Sequence, residues 1–175
     1  MMNAAEFEQV ETLKNGTRVV VRAVRSDDKN RMSDAFRHLD SESVYKRFFG
    51  PKKTLTEEEL KMATEVDFEN VVQLVVTLGE GENETIIAGC RYVAYNAGTE
   101  RRAEVAFMVE EDYHGQGIAS KLLRHLISIA REKGVSQFEA EVLSGNKAML
   151  GVFSKSGLPM KQSFSGGTAH VTLTL

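Results

Sequence analysis

Cysteine is almost missing from this chain. Cys90 stands alone among 175 residues, so no internal disulfide forms, and the composition fits a reducing cytoplasm. Long apolar runs are missing too, and none approaches the roughly 20 residues of a membrane-spanning helix. The opening stretch, MMNAAEFEQVETLKNG, lacks the basic start and apolar core of a secretory leader. A cytoplasmic location without membrane contact is the expectation. The four histidines, His38, His114, His125 and His170, show no metal-ligand spacing with Cys90 or with each other, so no metal is expected. The net charge of −3 gives no reason to expect nucleic acid as a partner. No Gly-Lys dipeptide occurs, which excludes a P-loop. Internal repeats and low-complexity linkers are likewise absent.

What is present is an ordinary globular composition, 42% hydrophobic and 27% charged, in a length suited to one domain. Residues 1–16 read as an N-terminal extension and 17–175 as the domain. Within it, 17–24 reads as a strand and 26–39 as a helix capped by Ser26 or Asp27. Residues 40–50 start a second helix that ends at Gly50-Pro51. In 54–64, Thr56 with Glu59 three residues on forms a capping box for a third helix. Strands are expected at 71–78, 85–95, 101–109 and 136–143, the last with Phe138, Ala140 and Val142 alternating against Gln137, Glu139 and Glu141. A helix over 146–157, with Asn146 as N-cap and Gly157 after its end, precedes a closing hairpin. The fold class is therefore α+β: a meander feeding one crossover, with strands 101–109 and 136–143 parallel.

The crossover carries the most informative stretch, EEDYHGQGIASKLLRHLISIAREKG, residues 110–134. Ile118, Leu122, Leu123, Leu126, Ile127 and Ala130 fall on one face of a 3.6-residue period. Lys121, Arg124, His125, Arg131 and Lys133 take the other, and Gly134 closes the helix. Ahead of it, Gly115 and Gly117 bare the backbone where the first N–H groups have no partner. Such a start suits a phosphate or pyrophosphate, although a glycine pair also serves to make a tight turn. The dinucleotide fingerprint G-x-G-x-x-G/A fits poorly: position 120 is Ser, Glu110, Glu111 and Asp112 crowd the loop, and a meander precedes it.

Glu104 is the second point of interest. It stands between Ala103 and Val105 in an apolar strand, where a carboxylate is costly unless solvated or used. Burial there would raise its proton affinity and make it a better base. A wet strand face, or a salt bridge to Arg101 or Arg102, is the alternative.

These features together resemble the GNAT N-acetyltransferase superfamily. YHGQGIASKLL is similar to its acyl-CoA loop, Q/R-x-x-G-x-G/A, here His114-x-x-Gly117-x-Ala119, with His in place of Gln or Arg. NKAMLGVFSKSGL (146–158) resembles its N-x-x-A/M-x-x-x-Y-x-x-x-G-F/L element. The resemblance covers roughly 17–175 and includes the order of elements. SESVYKRFF (41–49), LTEEELKMATEVDFENVVQLVV (55–76) and AEVAFMVEEDYHGQG (103–117) look like the catalytic domain of bacterial protein lysine acetyltransferases of the Pat type. Those usually carry a further large part, which this length does not accommodate.

The resemblance implies a mixed, mostly antiparallel sheet, splayed at the cofactor site and flanked by helices. It implies acetyl-CoA as the acyl donor, no metal, and a protein lysine or a small amine such as a polyamine or aminoglycoside as acceptor. A homodimer stays open, as does a non-catalytic acyl-CoA sensor. Residue by residue, it makes Glu104 the general base. It assigns the pantetheine arm to the backbone of Phe107, Met108 and Val109, with the Met108 N–H polarising the thioester carbonyl. The pyrophosphate falls to the N–H groups of Gly115, Gln116, Gly117, Ile118, Ala119 and Ser120, with His114, at the motif's first position, also on the cofactor. Asn146 contacts the pantetheine or caps its helix. Phe153 stands where many members have Tyr, so no general acid is visible; Tyr45 and Tyr113 read as packing residues. Glu57, Glu58, Glu59, Glu65, Asp67 and Glu69, with Glu110, Glu111 and Asp112, suggest an acidic groove that draws a cationic acceptor, although such acids also read as ordinary solvated helix faces.

Overall fold

Among the described residues eight strands form one sheet in the order β1-β2-β3-β4-β5-β6-β8-β7. The structure, a computed structural model, describes residues 3–39, 41–48 and 54–175. The strands are β1 (Glu8–Thr12), β2 (Arg18–Ala23), β3 (Val71–Leu78), β4 (Thr85–Ala97), β5 (Glu100–Val109), β6 (Gln137–Leu143), β7 (Met160–Ser165) and β8 (Thr168–Thr174). All neighbours are antiparallel except β5 and β6, which the crossover makes parallel as expected. The segment read as an N-terminal extension supplies β1, an edge strand paired along β2 from Glu8↔Arg22 to Thr12↔Arg18. β7 and β8 turn through Gly166 and Gly167, both at positive φ (58° and 80°), as a two-residue hairpin of matching twist requires.

Among the described residues five α-helices cover the two faces: α1 (Lys29–Arg37), α2 (Ser41–Phe48), α3 (Glu57–Thr64), α4 (Ile118–Glu132) and α5 (Lys147–Ser154). The expected end of the second helix at Gly50-Pro51 lies outside the described residues. α3 begins as its capping box requires: the Glu59 N–H donates to the Thr56 hydroxyl (3.1 Å), and the Thr56 N–H donates to the Glu59 carboxylate (2.9 Å). The expected helix at 26–39 splits, with a short 3₁₀ turn at Ser26–Asp28 ahead of α1. Asp28 accounts for the split. It is fully buried and accepts from both terminal nitrogens of Arg22 (2.8 and 2.9 Å) and from the Arg25 N–H (2.7 Å). This bonding anchors the start of α1 to β2. Losing one partner of such a buried pair typically costs about 3–5 kcal/mol.

α4 packs on one face of the sheet and holds the core together. Its six periodic residues are all buried, against Val72, Leu74, Tyr92, Ala103 and Phe138 among others. Each fully buried aliphatic side chain is worth about 1.5–3 kcal/mol. His125, expected on the wet face, is buried instead. β1 and its flank cover it: its Nε2 meets a Glu11 carboxylate oxygen at 2.8 Å, and its ring tilts on Phe7 at 5.1 Å. The helical period fixes only which residues share a face, and it carries no trace of a strand more than 100 residues earlier.

Candidate active site

The parallel pairing of β5 and β6 covers three residues, Arg102↔Gln137, Ala103↔Phe138 and Glu104↔Glu139, and then stops. β5 continues along β4 to Val109. A gap therefore opens between β5 and β6, which is the splay expected from the sequence.

Backbone alternation says which groups edge that gap. The Arg101 carbonyl accepts from Ser136 N–H on the β6 side (2.8 Å), and the Glu110 N–H donates to Ile87 on the β4 side (2.8 Å). Groups alternate along a strand. The backbone of Phe107 and Val109 therefore faces the gap, while that of Ala106 and Met108 faces β4. This corrects the role expected for Met108: its N–H belongs to the β4–β5 ladder, and the open donors are those of Phe107 and Val109. Periodicity fixes side-chain faces in a strand, but which edge a given N–H addresses depends on the pairing.

The same alternation settles Glu104. Ala103 and Val105 are buried against the α4 side. Glu104, Ala106 and Met108 take the opposite face, and Glu104 is exposed rather than buried. Its parallel neighbour Glu139 receives hydrogen bonds from the Tyr95 hydroxyl and Gln137 Nε2.

Gly117 caps α4 in the left-handed conformation (φ 85°) without any side-chain cap. The first amide of α4 with a helical partner is that of Lys121, bonded to the Gly117 carbonyl (3.1 Å). Among the described residues the N–H groups of Ile118, Ala119 and Ser120 have no protein acceptor. A side chain on Gly115 would meet open space, and one on Gly117 would meet the Lys14 stem. A bare, positively polarised helix start of this kind fits a phosphate-bearing ligand. The Ile118 side chain is in the core, so its N–H is the group it can offer.

The remaining expected residues divide. His114 folds back, its Nε2 bonded to the Val109 carbonyl at 2.8 Å, which ties the loop to the end of β5. Gln116 turns toward the β1–β2 turn, where its Oε1 accepts from the Asn15 N–H (3.0 Å). Asn146 caps α5 by accepting from the Met149 N–H (3.3 Å). α5 ends at Ser154, so Gly157 lies beyond the first residue after its cap. Phe153 is buried beneath the gap, its ring edge-on to Phe107 at 5.9 Å. Tyr113 packs on the core as expected, whereas Tyr45 is exposed.

Three of the acids expected in the acidic groove are engaged by other groups. Asp67 is spent on the N–H groups of Glu69, Asn70 and Val71, and these bonds, Val71's foremost, hold its pKa below the ordinary carboxylate value. Glu65 pairs with Lys29, and Glu69 with Lys133. Sequence reasoning also missed Lys14. It arrives from the β1–β2 turn and lies over Gly117, and nothing near it in the chain signals that contact. No helix among the described residues is long and apolar enough to cross a membrane.

Residues 18–159 match a family model described as an acetyltransferase (GNAT) domain. An acetyltransferase of Pseudomonas aeruginosa is 29% identical over 140 residues, 80% of this chain and 74% of that protein. Acetyltransferase Pat of Mycolicibacterium smegmatis is 35% identical over 147 residues. That match takes in 83% of this chain but 42% of Pat, so the chain spans less than half of that relative. The crystal structure of the GNAT domain of S. lividans PAT superposes with a TM-score of 0.87 at 35% identity, covering 96% of this chain and 97% of that domain.

Proposed function

The chain belongs to the GNAT acetyltransferase family, and from that premise we propose that it acetylates a lysine side chain of a protein, with acetyl-CoA as donor. The observation that carries the reading is the gap beyond Glu104↔Glu139, edged by open backbone groups of β5 and ending at the uncapped start of α4. A pantetheine arm presents amides, which suit the strand-edge groups of Phe107 and Val109. A pyrophosphate suits the N–H groups of Ile118, Ala119 and Ser120, with Lys14 alongside.

Acetyl transfer needs a neutral amine, and a free lysine, with a pKa of about 10.4, is almost wholly protonated near neutral pH. Glu104 is the base in this reading. It lies three residues before Phe107, about 10 Å along the strand. A water relays the proton from the amine to its carboxylate. The amine attacks the thioester carbonyl, whose developing negative charge is met by an open β5 N–H, that of Phe107 or Val109. The carbon–sulfur bond then breaks, CoA leaves as a thiolate, and the nitrogen gives up its second proton to solvent. Phe153 offers no proton, and none is required of it. The lysine acceptor is favoured by the 35% identity to Pat and to the PAT domain. The lone thiol, Cys90, is buried, and the proposal places the enzyme in the cytoplasm.

The test is mass spectrometry of a cell extract incubated with acetyl-CoA and the protein, together with a CoA-release assay. New acetyl-lysine sites that depend on the wild-type protein and fade with Glu104→Gln support the reading. CoA release with polyamines but with no protein would move the acceptor to a small amine.

A further inference from the structure

A cavity of about 280 Å³ opens on the face of β4 and β5 turned away from α4. Much of its wall is apolar: Met32 and Phe36 of α1, Phe48 of α2, Met62 of α3, and Ala106 and Met108 of β5. Two cations share that wall, Arg47 of α2 and Arg91 of β4, both half-buried. A charge taken out of water needs a partner. Among the described residues neither guanidinium has a carboxylate partner. Burial, reinforced by the like charge of Arg91, pulls the pKa of Arg47 below its ordinary value, and burial does the same to Arg91.

The other groups in the wall leave this charge standing. Arg47 stacks over the Phe48 ring at 4.9 Å, a contact that offsets only part of the cost of a desolvated cation. Glu59 and Glu110 line the same cavity, but the Glu59 carboxylate accepts from the Thr56 N–H, and neither acid forms an ion pair with the two arginines. Gln73, buried opposite Arg91, leaves its Oε1 without a partner among the described residues. Among the described residues the wall thus holds two unneutralised donors and one unmatched acceptor.

We propose that this cavity is a carboxylate subsite for the acceptor, in which Arg47 and Arg91 bind a carboxylate carried close to the amine that Glu104 deprotonates. The inference rests on the reading of Glu104 as base, because that residue fixes the side from which the amine arrives. Arg91 pairs with Ala106, and Val93 pairs with Glu104. Arg91 therefore lies on the Glu104 face, one strand over and about 7 Å further along. An ammonium at Glu104 and a carboxylate at Arg91 describe an acceptor bearing both charges a short reach apart. Two sources have that chemistry: a lysine beside an acidic residue in a protein, and a lysine with a free α-carboxylate. Arginine suits either, since its planar fork binds carboxylates through paired donors.

The test reads binding first, so it does not depend on turnover. In the presence of CoA, calorimetry compares Nα-acetyl-lysine with its carboxamide, and a peptide with Glu beside the lysine with its Gln counterpart. We expect the anionic member of at least one pair to bind about tenfold or more tightly, the scale of a charged hydrogen bond. The preference should vanish in Arg91→Gln and in Arg47→Gln. Preference in the first pair alone identifies an α-carboxylate, and in the second alone an acidic neighbour. Both variants should melt no lower than wild type, because each removes a half-buried cation with no carboxylate partner among the described residues; a merely structural arginine would lower the melting temperature. Equal binding within both pairs, or a preference that survives both substitutions, overturns the proposal. If the preference holds but no amine releases CoA, the subsite stands and the acetyl-transfer reading falls. If amines release CoA but no preference is seen, acetyl transfer stands and the subsite falls.

Discussion

Lys14 lies across Gly117: a β-carbon at that glycine would sit 3.7 Å from the Lys14 Cε. The two come from distant parts of the chain, and the Lys14 N–H reaches toward the Gln116 carbonyl at 3.5 Å. The β1–β2 turn thus sets a cation beside the open N–H groups of α4. Lys14→Ala should weaken CoA binding about two- to fivefold, the scale of an exposed charge pair. The loss should shrink as salt screens the interaction. Calorimetry at two ionic strengths checks this, and an unchanged affinity at low salt would remove Lys14 from the phosphate site.

Gly117→Val tests the cradle itself. The position has φ 85°, a conformation rarely open to a β-branched residue. The substitution should therefore lower stability as well as block the approach to α4. The expected CoA affinity falls at least tenfold, or about 1.4 kcal/mol. A folded variant that binds CoA as tightly as wild type would mean the phosphate lies elsewhere.

Glu104→Gln should retain CoA binding and lose rate. Removing a general base typically costs about 10²- to 10⁴-fold. The deficit should be largest near neutral pH and narrow as pH rises toward the amine pKa of about 10.4, where free amine exists without help. A rate unchanged near neutrality, with chemistry shown to limit turnover, would exclude Glu104.

The elements and the crossover are legible in the sequence because their signals are local. The α4 period, the Thr56–Glu59 box and the alternation of β6 each depend on neighbours within a few residues. Pairing between distant segments leaves no such signal. β1 over His125, Lys14 over Gly117 and Arg91 facing Arg47 all join residues far apart in the chain. Glu104 shows a subtler limit. Its apolar neighbours suggest burial, but a strand has two faces, and Glu104 shares the one turned away from α4 with Ala106 and Met108, at a point where it is exposed. The direction of the Met108 N–H is hidden for the related reason that it depends on which strand pairs on which side.

Phe153 gives a comparison between stability and binding. It is 1% exposed and supports Phe107 from below. Phe138 is equally buried but packs its ring at a tilt against Tyr92. Truncating either to alanine should cost about 3–5 kcal/mol. Phe153→Ala should additionally weaken CoA binding, because Phe107 presents its backbone to the gap. Equal CoA affinity in the two variants, measured where both are folded, would separate Phe107 from the binding site.

Asp28 ties acid stability to the wall of the cavity, since α1, which it anchors, supplies Met32 and Phe36. Burial alone would raise the proton affinity of its carboxyl. The hydrogen bonds from Arg22 and the Arg25 N–H, with the charges of Arg22 and Arg31, outweigh this and hold its pKa below the ordinary value. A depressed carboxylate pKa stabilises the fold fully above the unfolded value of about 3.9, and that contribution is lost as pH falls through the folded value. Asp28→Asn should therefore be less stable near neutral pH by about 3–5 kcal/mol, because Arg22 is left buried with fewer partners. The difference from wild type should narrow below about pH 4, where wild type must take up the proton that asparagine never binds. Urea unfolding of both proteins across that range checks it. A stability gap that stays constant from neutral pH into acid would show that Asp28 contributes through packing and neutral hydrogen bonds instead of as a bound carboxylate.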